Sequence, residues 1–202
     1  FLVVVPHWNY ELERYPQPAD RRLARELLRE GADAVVGHHP HVTGGAEILE
    51  DRVVVYSLGN WCFPPARYGR LTIRYPAAAL GGLAVVLDVE GRSLRGVDLY
   101  WTRFDPDSGA VEIETSEGAD GPRITAASPW RGLADADYAS WFSRHRARRT
   151  ALPVYHDYSA RTRTRVNDAF MSLRSHLIGL MVRTRLKGGP GGITNWSTGD
   201  ER

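Results

Sequence analysis

The order of an apolar strand, a helix and a second apolar strand at the start of this 202-residue chain constrains its fold most strongly. Residues 1–5 (FLVVV) are rich in β-branched side chains and precede Pro6, which predicts a strand buried on both faces, as in parallel sheets. Asp20 is the predicted N-cap and Gly31 the predicted end of a helix, because leucine and alanine recur between them at helical spacing. Residues 33–37 (DAVVG) predict a second buried strand. This order indicates a right-handed βαβ unit and an α/β fold.

Histidines follow both predicted strands. His7 comes after the first strand, and His38, His39 and His41 come after the second. Because ligands collect beyond the carboxyl ends of strands in open α/β sheets, we expect these side chains to share one rim. Buried imidazoles need partners, and neutral imidazole is the commonest protein metal ligand. The predicted metal ligands are therefore His7, His39 and His41, with His38 as a secondary candidate; the alternative is a solvated loop with local hydrogen bonds.

Three further regions have β-type patterning. Residues 52–58 (RVVVYSL) predict a third strand. Residues 83–89 and 94–104 predict an antiparallel hairpin, and residues 111–115 predict one more short strand. The segment 64–80, which is rich in proline, arginine and tyrosine, predicts an irregular loop near the site.

The chain changes character near residue 120. Residues 134–149 and 158–186 predict two helices, and the glycine-rich end of the chain has the composition of a flexible tail. We therefore predict a domain over residues 1–120, a helical appendage over 121–187 and a tail over 188–202. Surface positions are expected for the three histidines of the appendage, His145, His156 and His176.

The charge balance limits the classes of partner. With 26 basic and 24 acidic residues, the net charge is +2, which is too small to favour nucleic acid as a partner of the whole chain. The basic run 144–149 and the series Arg161, Arg163 and Arg165 predict either contact with an anionic polymer or solvated helix faces. Cys62 is the only cysteine, so an internal disulfide is excluded.

Nothing in the sequence predicts a membrane segment. No apolar run approaches the ~20 residues that a membrane helix needs, and residues 1–8 (FLVVVPHW) lack the basic flank and cleavage site of a signal peptide. Because the chain opens within a predicted strand and without methionine, we expect the protein to continue upstream. The sequence leaves its cellular compartment open.

Three segments carry a family resemblance through their order and spacing: residues 7–11 (HWNYE), 31–42 (GADAVVGHHPHV) and 56–61 (YSLGNW). They resemble successive motifs of the CapA family, which is named for poly-γ-glutamate capsule synthesis and is similar to calcineurin-type metallophosphoesterases. The resemblance covers about residues 1–120 and departs at Asn9, where the family usually has glycine. It implies a calcineurin-like metallophosphoesterase α/β sandwich, of which this chain holds the C-terminal half, followed by the helical appendage.

The resemblance implies a metal-dependent hydrolase. His7, His39 and His41 would be metal ligands, whereas Glu11 and Asn60 would be catalytic residues lining the site. Two divalent cations (Mn, Fe or Zn) are implied, with an anionic cell-envelope polymer or a small phosphoester as substrate. From the residues alone, Glu11 suits a base, an outer partner of a ligand, a substrate contact or a solvated carboxylate, and Asn60 either orients a ligand or caps a turn.

The resemblance also implies what should lie upstream. In the family, the preceding half supplies an aspartate, a bridging acidic or amide ligand and an Asn-His pair, and a signal segment there would place the protein in the cell envelope or outside the cell. Without such a segment the protein would be cytoplasmic. Two other interpretations stay open: a non-catalytic scaffold or polymer-binding component that retains the fold, and an inactive fragment with an incomplete metal shell.

Overall fold

The computed structural model describes residues 1–68, 71–73 and 75–147, together with Ala169, Leu173, Leu177 and Ser197–Thr198. The predicted helix 158–186 and the predicted tail 188–202 lie outside the described residues, apart from those isolated positions. The sites of His156 and His176 lie outside them as well. Within the described residues, no helix has the length and apolar character required to cross a bilayer.

A mixed, four-stranded sheet carries the histidines at one end. Its elements and the helix between them are β1 Val3–Val4, α1 Pro18–Arg29, β2 Ala34–Val36, β3 Ala46–Leu49 and β4 Arg52–Val55. The strand order is β1-β2-β4-β3, with β2 parallel to β1 and β4 and with β3 antiparallel to β4. The predicted βαβ order and the α/β class are confirmed, whereas β3 is an element that the sequence did not predict.

The first strand differs from its prediction. Residues 1–5 were expected to be buried on both faces, but Leu2 and Val5 are 52% and 58% exposed. Within the described part of the chain, β1 is the outer strand of its sheet and pairs with β2 on one side only. The expectation of two buried faces is therefore wrong for this strand, of which Val3 is 40% exposed. By contrast, β2 is buried throughout, as predicted.

A carboxylate anchors this outer strand to the start of β2. Asp33 Oδ2 accepts a hydrogen bond from Leu2 N–H at 2.6 Å, and this bond holds the pKa of the Asp33 carboxyl below its usual value, with Arg92 adding to the effect. A carboxylate with a depressed pKa stabilises the fold above its unfolded pKa of about 3.9, and this stabilisation is lost as the pH falls through the folded pKa.

We therefore expect Asp33→Asn to flatten the loss of stability on acidification between about pH 4 and pH 2, because asparagine does not titrate. Urea unfolding at a series of pH values measures this slope. The matched control is Asp51→Asn, since the Asp51 side chain is 73% exposed. Equal slopes in wild type and Asp33→Asn would contradict the assignment.

The N-cap of helix α1 lies three residues before the predicted one. Gln17 is the N-cap, Pro18 occupies the first turn, and Asp20 lies at the third helical position, where its Oδ2 accepts the Gln17 N–H at 3.3 Å. Proline suits the first helical turn because the amide hydrogen that it lacks would have no helical partner there. Asp20 thus stabilises the helix start as the reciprocal half of a capping box. The helix ends as predicted, with Gly31 in the left-handed region at φ 113°.

The segment 64–80 is not the irregular loop that was expected. It contains β5 Ala66–Tyr68 and β6 Leu71–Ile73, which pair antiparallel, and a single 3-10 turn at Ala77–Ala79. A short strand at Ser197–Thr198, β10, pairs with the other side of β6. The sequence did not predict this pair of strands, because each strand is only three residues long and the segment is rich in proline and arginine.

The third sheet is an antiparallel meander of the predicted hairpin and the predicted last strand. Its strands are β7 Gly81–Glu90, β8 Ser93–Phe104 and β9 Val111–Gly118. Gly91, at φ 63°, forms the turn between β7 and β8. Both predictions are confirmed, with β9 extending beyond residue 115. This sheet shares a core with the first sheet, formed by Val53, Val55, Leu83, Leu99, Trp101 and Ile124.

Two helices follow: α2 Pro122–Ala127, which was not predicted, and α3 Asp135–Ala147, which confirms the predicted helix at 134–149 as far as the description extends. Residues of α3 and of the segment between α2 and α3 pack with α1 and the first sheet to form a second core. That core includes Trp8, Leu28, Val35, Tyr56, Trp130, Tyr138 and Phe142. The described part of the predicted appendage therefore packs on the first sheet, and the domain boundaries at 120 and 187 stay predictions.

Candidate functional site

The carboxyl ends of β1 and β2 bring the first two histidines together. His7 and His38 form an isolated parallel bridge beyond the strands, with His38 N–H donating to Pro6 O at 3.0 Å and Trp8 N–H donating to His38 O at 3.2 Å. The parallel register of the sheet therefore continues to the histidines themselves. The structure places His7 and the 38–41 segment on one rim, as the sequence predicted from topology.

The four imidazole rings form a contiguous cluster. His7 Nδ1 and His38 Nδ1 are 3.1 Å apart, so one of these atoms carries a hydrogen and the other accepts it. The ring centroid of His7 lies 4.2 Å from that of His39, and the His39 and His41 centroids are 6.0 Å apart. His38, which was ranked behind the other three, makes the closest polar contact with His7.

The backbone of the histidine segment is held in an uncommon conformation. His39 and His41 have φ values of 104° and 61°, in the left-handed region that L side chains rarely adopt. Such conformations persist only where the surroundings impose them, and they cluster at functional sites. Between the two, Pro40 O accepts a hydrogen bond from Leu12 N–H at 2.7 Å. The loop that follows His7 therefore braces the segment from outside.

The surroundings of two of the rings favour their neutral form, because they lower the pKa. Burial lowers the pKa of His38, and the neighbouring His7 lowers it further. Burial and His7 also lower the pKa of His39, whereas Glu11 partly opposes them. Neutral imidazoles have a lone pair available for a metal or for a proton. Glu11 itself is exposed, and its negative charge acts on His39 by raising the pKa of that ring.

Asn60 fixes the orientation and tautomer of His41. Its Nδ2 donates to Ala79 O at 2.9 Å, which assigns the amide so that Oδ1, 2.8 Å from His41 Nδ1, is an acceptor. His41 Nδ1 must then carry a hydrogen, so in the neutral ring the lone pair is on Nε2 and is left for another partner. Asn60 is 3% exposed, which keeps water from competing for these bonds. Outer residues orient metal-binding histidines through hydrogen bonds of this kind, so the contact is compatible with the predicted role of His41, which stays a prediction.

The fit of this cluster to a metal ion is partial. Imidazole nitrogens are suitable ligands for zinc and for other first-row metals. Among the residues that the structure describes, however, no three histidine, cysteine, aspartate or glutamate side chains converge as the ligands of one ion. The predicted ligands His7, His39 and His41 are therefore brought together on one rim without forming a closed shell.

Several residues that shape the site were not singled out from the sequence. Phe63 and Tyr75 contact the His41 ring, with centroids 5.2 Å and 6.0 Å away, and form an aromatic wall on that side. Gly37 lies where a Cβ atom would clash with the Trp8 indole nitrogen and the Tyr56 carbonyl. The glycine directly before the histidines was visible in the sequence, but the approach of Trp8 depends on tertiary packing.

One histidine of the predicted appendage does not have the surface position expected for it. His145 is half-buried and stacks on Trp141, with centroids 5.7 Å apart and an interplanar angle of 7°. It also contacts the Tyr15 ring edge-on at 4.7 Å. The expectation failed because the helix turns this residue toward the loop after His7, a contact that helical periodicity alone does not reveal.

Comparison with known proteins gives the same N-terminal segment a family. Residues 1–65 match the family described as bacterial capsule synthesis protein PGA_cap. Over 62 residues, 31% of this chain, the sequence is 45% identical to the PGA biosynthesis protein CapA of Bacillus subtilis (strain 168), covering 16% of that protein. It is 40% identical over 62 residues to the capsule biosynthesis protein CapA of Bacillus anthracis, covering 31% of this chain and 15% of that protein.

A third relative is the uncharacterized protein y4sH of Sinorhizobium fredii (strain NBRC 101917 / NGR234), which is 49% identical over 61 residues, 30% of this chain and 12% of that protein. The chain thus aligns with less than a fifth of the length of each of these relatives. The aligned segment includes His7, the 38–41 segment and Asn60. Residues 1–65 of this chain are therefore similar to the bacterial capsule synthesis family and to the CapA proteins of the two Bacillus species.

Proposed function

We propose that this protein acts in the biosynthesis of a bacterial capsule polymer, as a metal-dependent hydrolase with a calcineurin-like α/β sandwich. The observation that supports the proposal most is the cluster of His7, His38, His39 and His41 at the carboxyl ends of two parallel strands, inside the segment that matches the capsule synthesis family. The names of the Bacillus relatives support poly-γ-glutamate or a similar anionic cell-envelope polymer as the substrate class. The resemblance to metallophosphoesterases adds a phosphoester as the other candidate substrate.

His7, His39 and His41 would hold the metal, with two divalent ions (Mn, Fe or Zn) in the complete protein. A divalent metal supplies an activated water at neutral pH and stabilises developing negative charge. The chain's own residues prepare the site. The Asn60 amide orients the His41 ring through Nδ1 and leaves Nε2 for another partner, and burial lowers the pKa of His39, which favours its unprotonated form. Glu11, whose charge is felt at His39, would accept or relay a proton at the exposed side.

The metal proposal predicts that His39→Ala/His41→Ala lowers the affinity of the protein for Zn²⁺ or Mn²⁺ by about tenfold or more, because two ligands are lost at once. Isothermal titration and elemental analysis of the purified protein measure this change. The matched control is His156→Ala, which removes an imidazole outside residues 1–65. Unchanged metal content in the double variant would refute the proposed ligand set.

A second candidate is a non-catalytic, polymer-binding or scaffold component of capsule assembly. It is favoured by the absence of three convergent metal ligands among the described residues and by the direct His7–His38 contact, which satisfies those rings without a metal. The same measurement separates the candidates. A wild-type protein that binds a capsule polymer but takes up neither cation would favour the scaffold.

A further inference from the structure

Helix α3 lies outside the segment that matches the capsule synthesis family, yet one of its faces packs on the loop that follows His7. We call residues 9–16 the brace loop. Tyr15 contacts the rings of Trp141 and His145, with centroids 4.9 Å and 4.7 Å away, and Tyr138 OH donates to Pro16 O. The last turn of α3 is therefore placed against residues that continue directly from the site.

A buried ion pair joins the two elements. Arg146 Nη1 lies 2.6 Å from Glu13 Oε2, and the Glu13 side chain is fully buried while that of Arg146 is 14% exposed. The His145 Nε2 atom is 3.6 Å from the other carboxylate oxygen, which also accepts Tyr15 N–H at 3.3 Å. The Arg146 guanidinium also lies over the Tyr10 ring at 4.7 Å. The carboxylate thus bonds both to α3 and to its own loop.

The brace loop is held in one conformation by its own polar contacts. Asn9 and Leu12 have φ values of 68° and 56°, and neither is glycine. Asn9 Nδ2 donates to Glu13 O at 3.3 Å and to Tyr15 O at 2.9 Å. These bonds stabilise a left-handed conformation that an isolated chain would rarely adopt. The Glu13 carboxylate and the Asn9 amide therefore fix the loop from both sides.

A backbone hydrogen bond connects the brace loop to the histidine segment. Leu12 N–H donates to Pro40 O at 2.7 Å, and Pro40 lies between the two residues with positive φ, His39 and His41. A shift of the brace loop would remove the bond that supports this conformation. The contacts form a continuous path from Arg146 through Glu13 and Leu12 to Pro40.

We propose that Arg146 and Glu13 are positioning residues for the histidine segment, so that α3, far along the chain from residues 1–65, determines how His39 and His41 are presented. A buried ion pair often contributes little net stability compared with apolar residues, whereas it restricts geometry. The ion pair therefore acts on the shape of the site more than on the stability of the fold. Its effect on metal affinity rests on the proposed function, but its effect on the loop does not.

The test uses the double variant Arg146→Met/Glu13→Gln, which removes both charges together and leaves no unpaired charge in the interior. We expect the Leu12 amide to exchange with solvent about tenfold faster, because its bond to Pro40 is weakened, while the thermal midpoint stays near that of wild type. The dissociation constant for Zn²⁺ alone should rise about tenfold. The single variant Arg146→Lys, which retains Glu13, keeps an ion pair. Its Leu12 exchange rate and its dissociation constant for Zn²⁺ should both stay near those of wild type.

Arg144→Met is the matched control, since Arg144 is an exposed residue on the same helix. Leu12 exchange at the wild-type rate in the double variant would overturn the positioning role. The role would also be overturned if Leu12 exchanged as fast in Arg146→Lys as in the double variant. If wild type itself takes up no Zn²⁺, the metal part of the proposed function fails, and the Leu12 exchange rate still decides the role of the ion pair.

Discussion

Replacing Glu47 by glutamine should lower the free energy of unfolding by about 3 kcal/mol, because the change leaves a buried arginine without its counter-charge. Glu47 and Arg21 are 4% and 0% exposed, and Arg21 Nε lies 2.7 Å from Glu47 Oε1. The second oxygen of Glu47 is 2.8 Å from Arg25 Nη2. The carboxylate joins α1 to β3, and glutamine keeps its volume while removing the charge. Urea unfolding at neutral pH measures the loss.

The pH dependence of this variant has a definite sign. Burial raises the pKa of Glu47, but hydrogen bonds from Arg21 and Arg25 outweigh it and leave the pKa below its usual value. The stabilisation is therefore present above the unfolded pKa of about 4.3 and is lost as the pH falls through the folded pKa. The difference between wild type and Glu47→Gln should shrink in acid, and a difference that stays constant down to about pH 2 would contradict this account.

A matched pair of variants separates the lost charge from lost packing. Arg21→Met/Glu47→Gln removes both partners, and methionine retains apolar contact with the Trp130 and Tyr138 rings that flank the Arg21 guanidinium at 5.4 Å and 4.7 Å. We expect this double variant to recover much of the stability that Glu47→Gln loses. A double variant that is as unstable as the sum of the single ones would mean that the contacts are independent.

The second large effect is expected at Gly37. An alanine there should cost about 3 kcal/mol of unfolding free energy, because its Cβ atom would overlap the Trp8 indole nitrogen and the Tyr56 carbonyl oxygen. These two groups are hydrogen-bonded to each other at 2.9 Å and lie directly beside the glycine. The backbone at Gly37, directly after β2, and the Trp8 indole cannot both keep their positions. Urea unfolding reports the energetic cost.

Gly96→Ala is the control for this substitution, since its Cβ would meet only Asp88 Cβ at 3.7 Å, an ordinary contact. The control separates the clash at Gly37 from the general effect of replacing a glycine by alanine. A Gly37→Ala protein within about 0.5 kcal/mol of wild type would show that Trp8 can shift without cost. Because His38 follows Gly37 directly, the variant should also disturb the contact between His38 and His7.

Local patterning was sufficient for the elements whose residues repeat with one period. The buried strand β2 and the hairpin of β7 and β8 follow from apolar, β-type runs, and the helix α1 follows from leucine and alanine at helical spacing before Gly31. The rim position of the histidines follows from the order of these elements. β3 escaped prediction because it is short and contains Glu47, and a carboxylate argues against a buried strand unless its partners are known. Those partners, Arg21 and Arg25, come from α1.

The site shows the same division between local and distant causes. The sequence indicated His7, His39 and His41, because they follow predicted strands. It could not reveal the closeness of His38 to His7, which depends on the parallel register between two strands. Nor could it show that Glu13, an apparent loop carboxylate, is buried, since its partner Arg146 is 133 residues away along the chain.

The aromatic core also limits which segments of such a protein can be exchanged by recombination. Trp8 and Tyr56, inside the family segment, pack in one cluster with Trp130 and Tyr138, which lie beyond it. The segment that matches the family, residues 1–65, is therefore shorter than the part of the chain that packs into this core. A recombination that exchanged everything after residue 65 would carry the histidines over intact. It would separate them from the aromatic side chains that hold their sheet, and the new partner segment would have to supply an equivalent face.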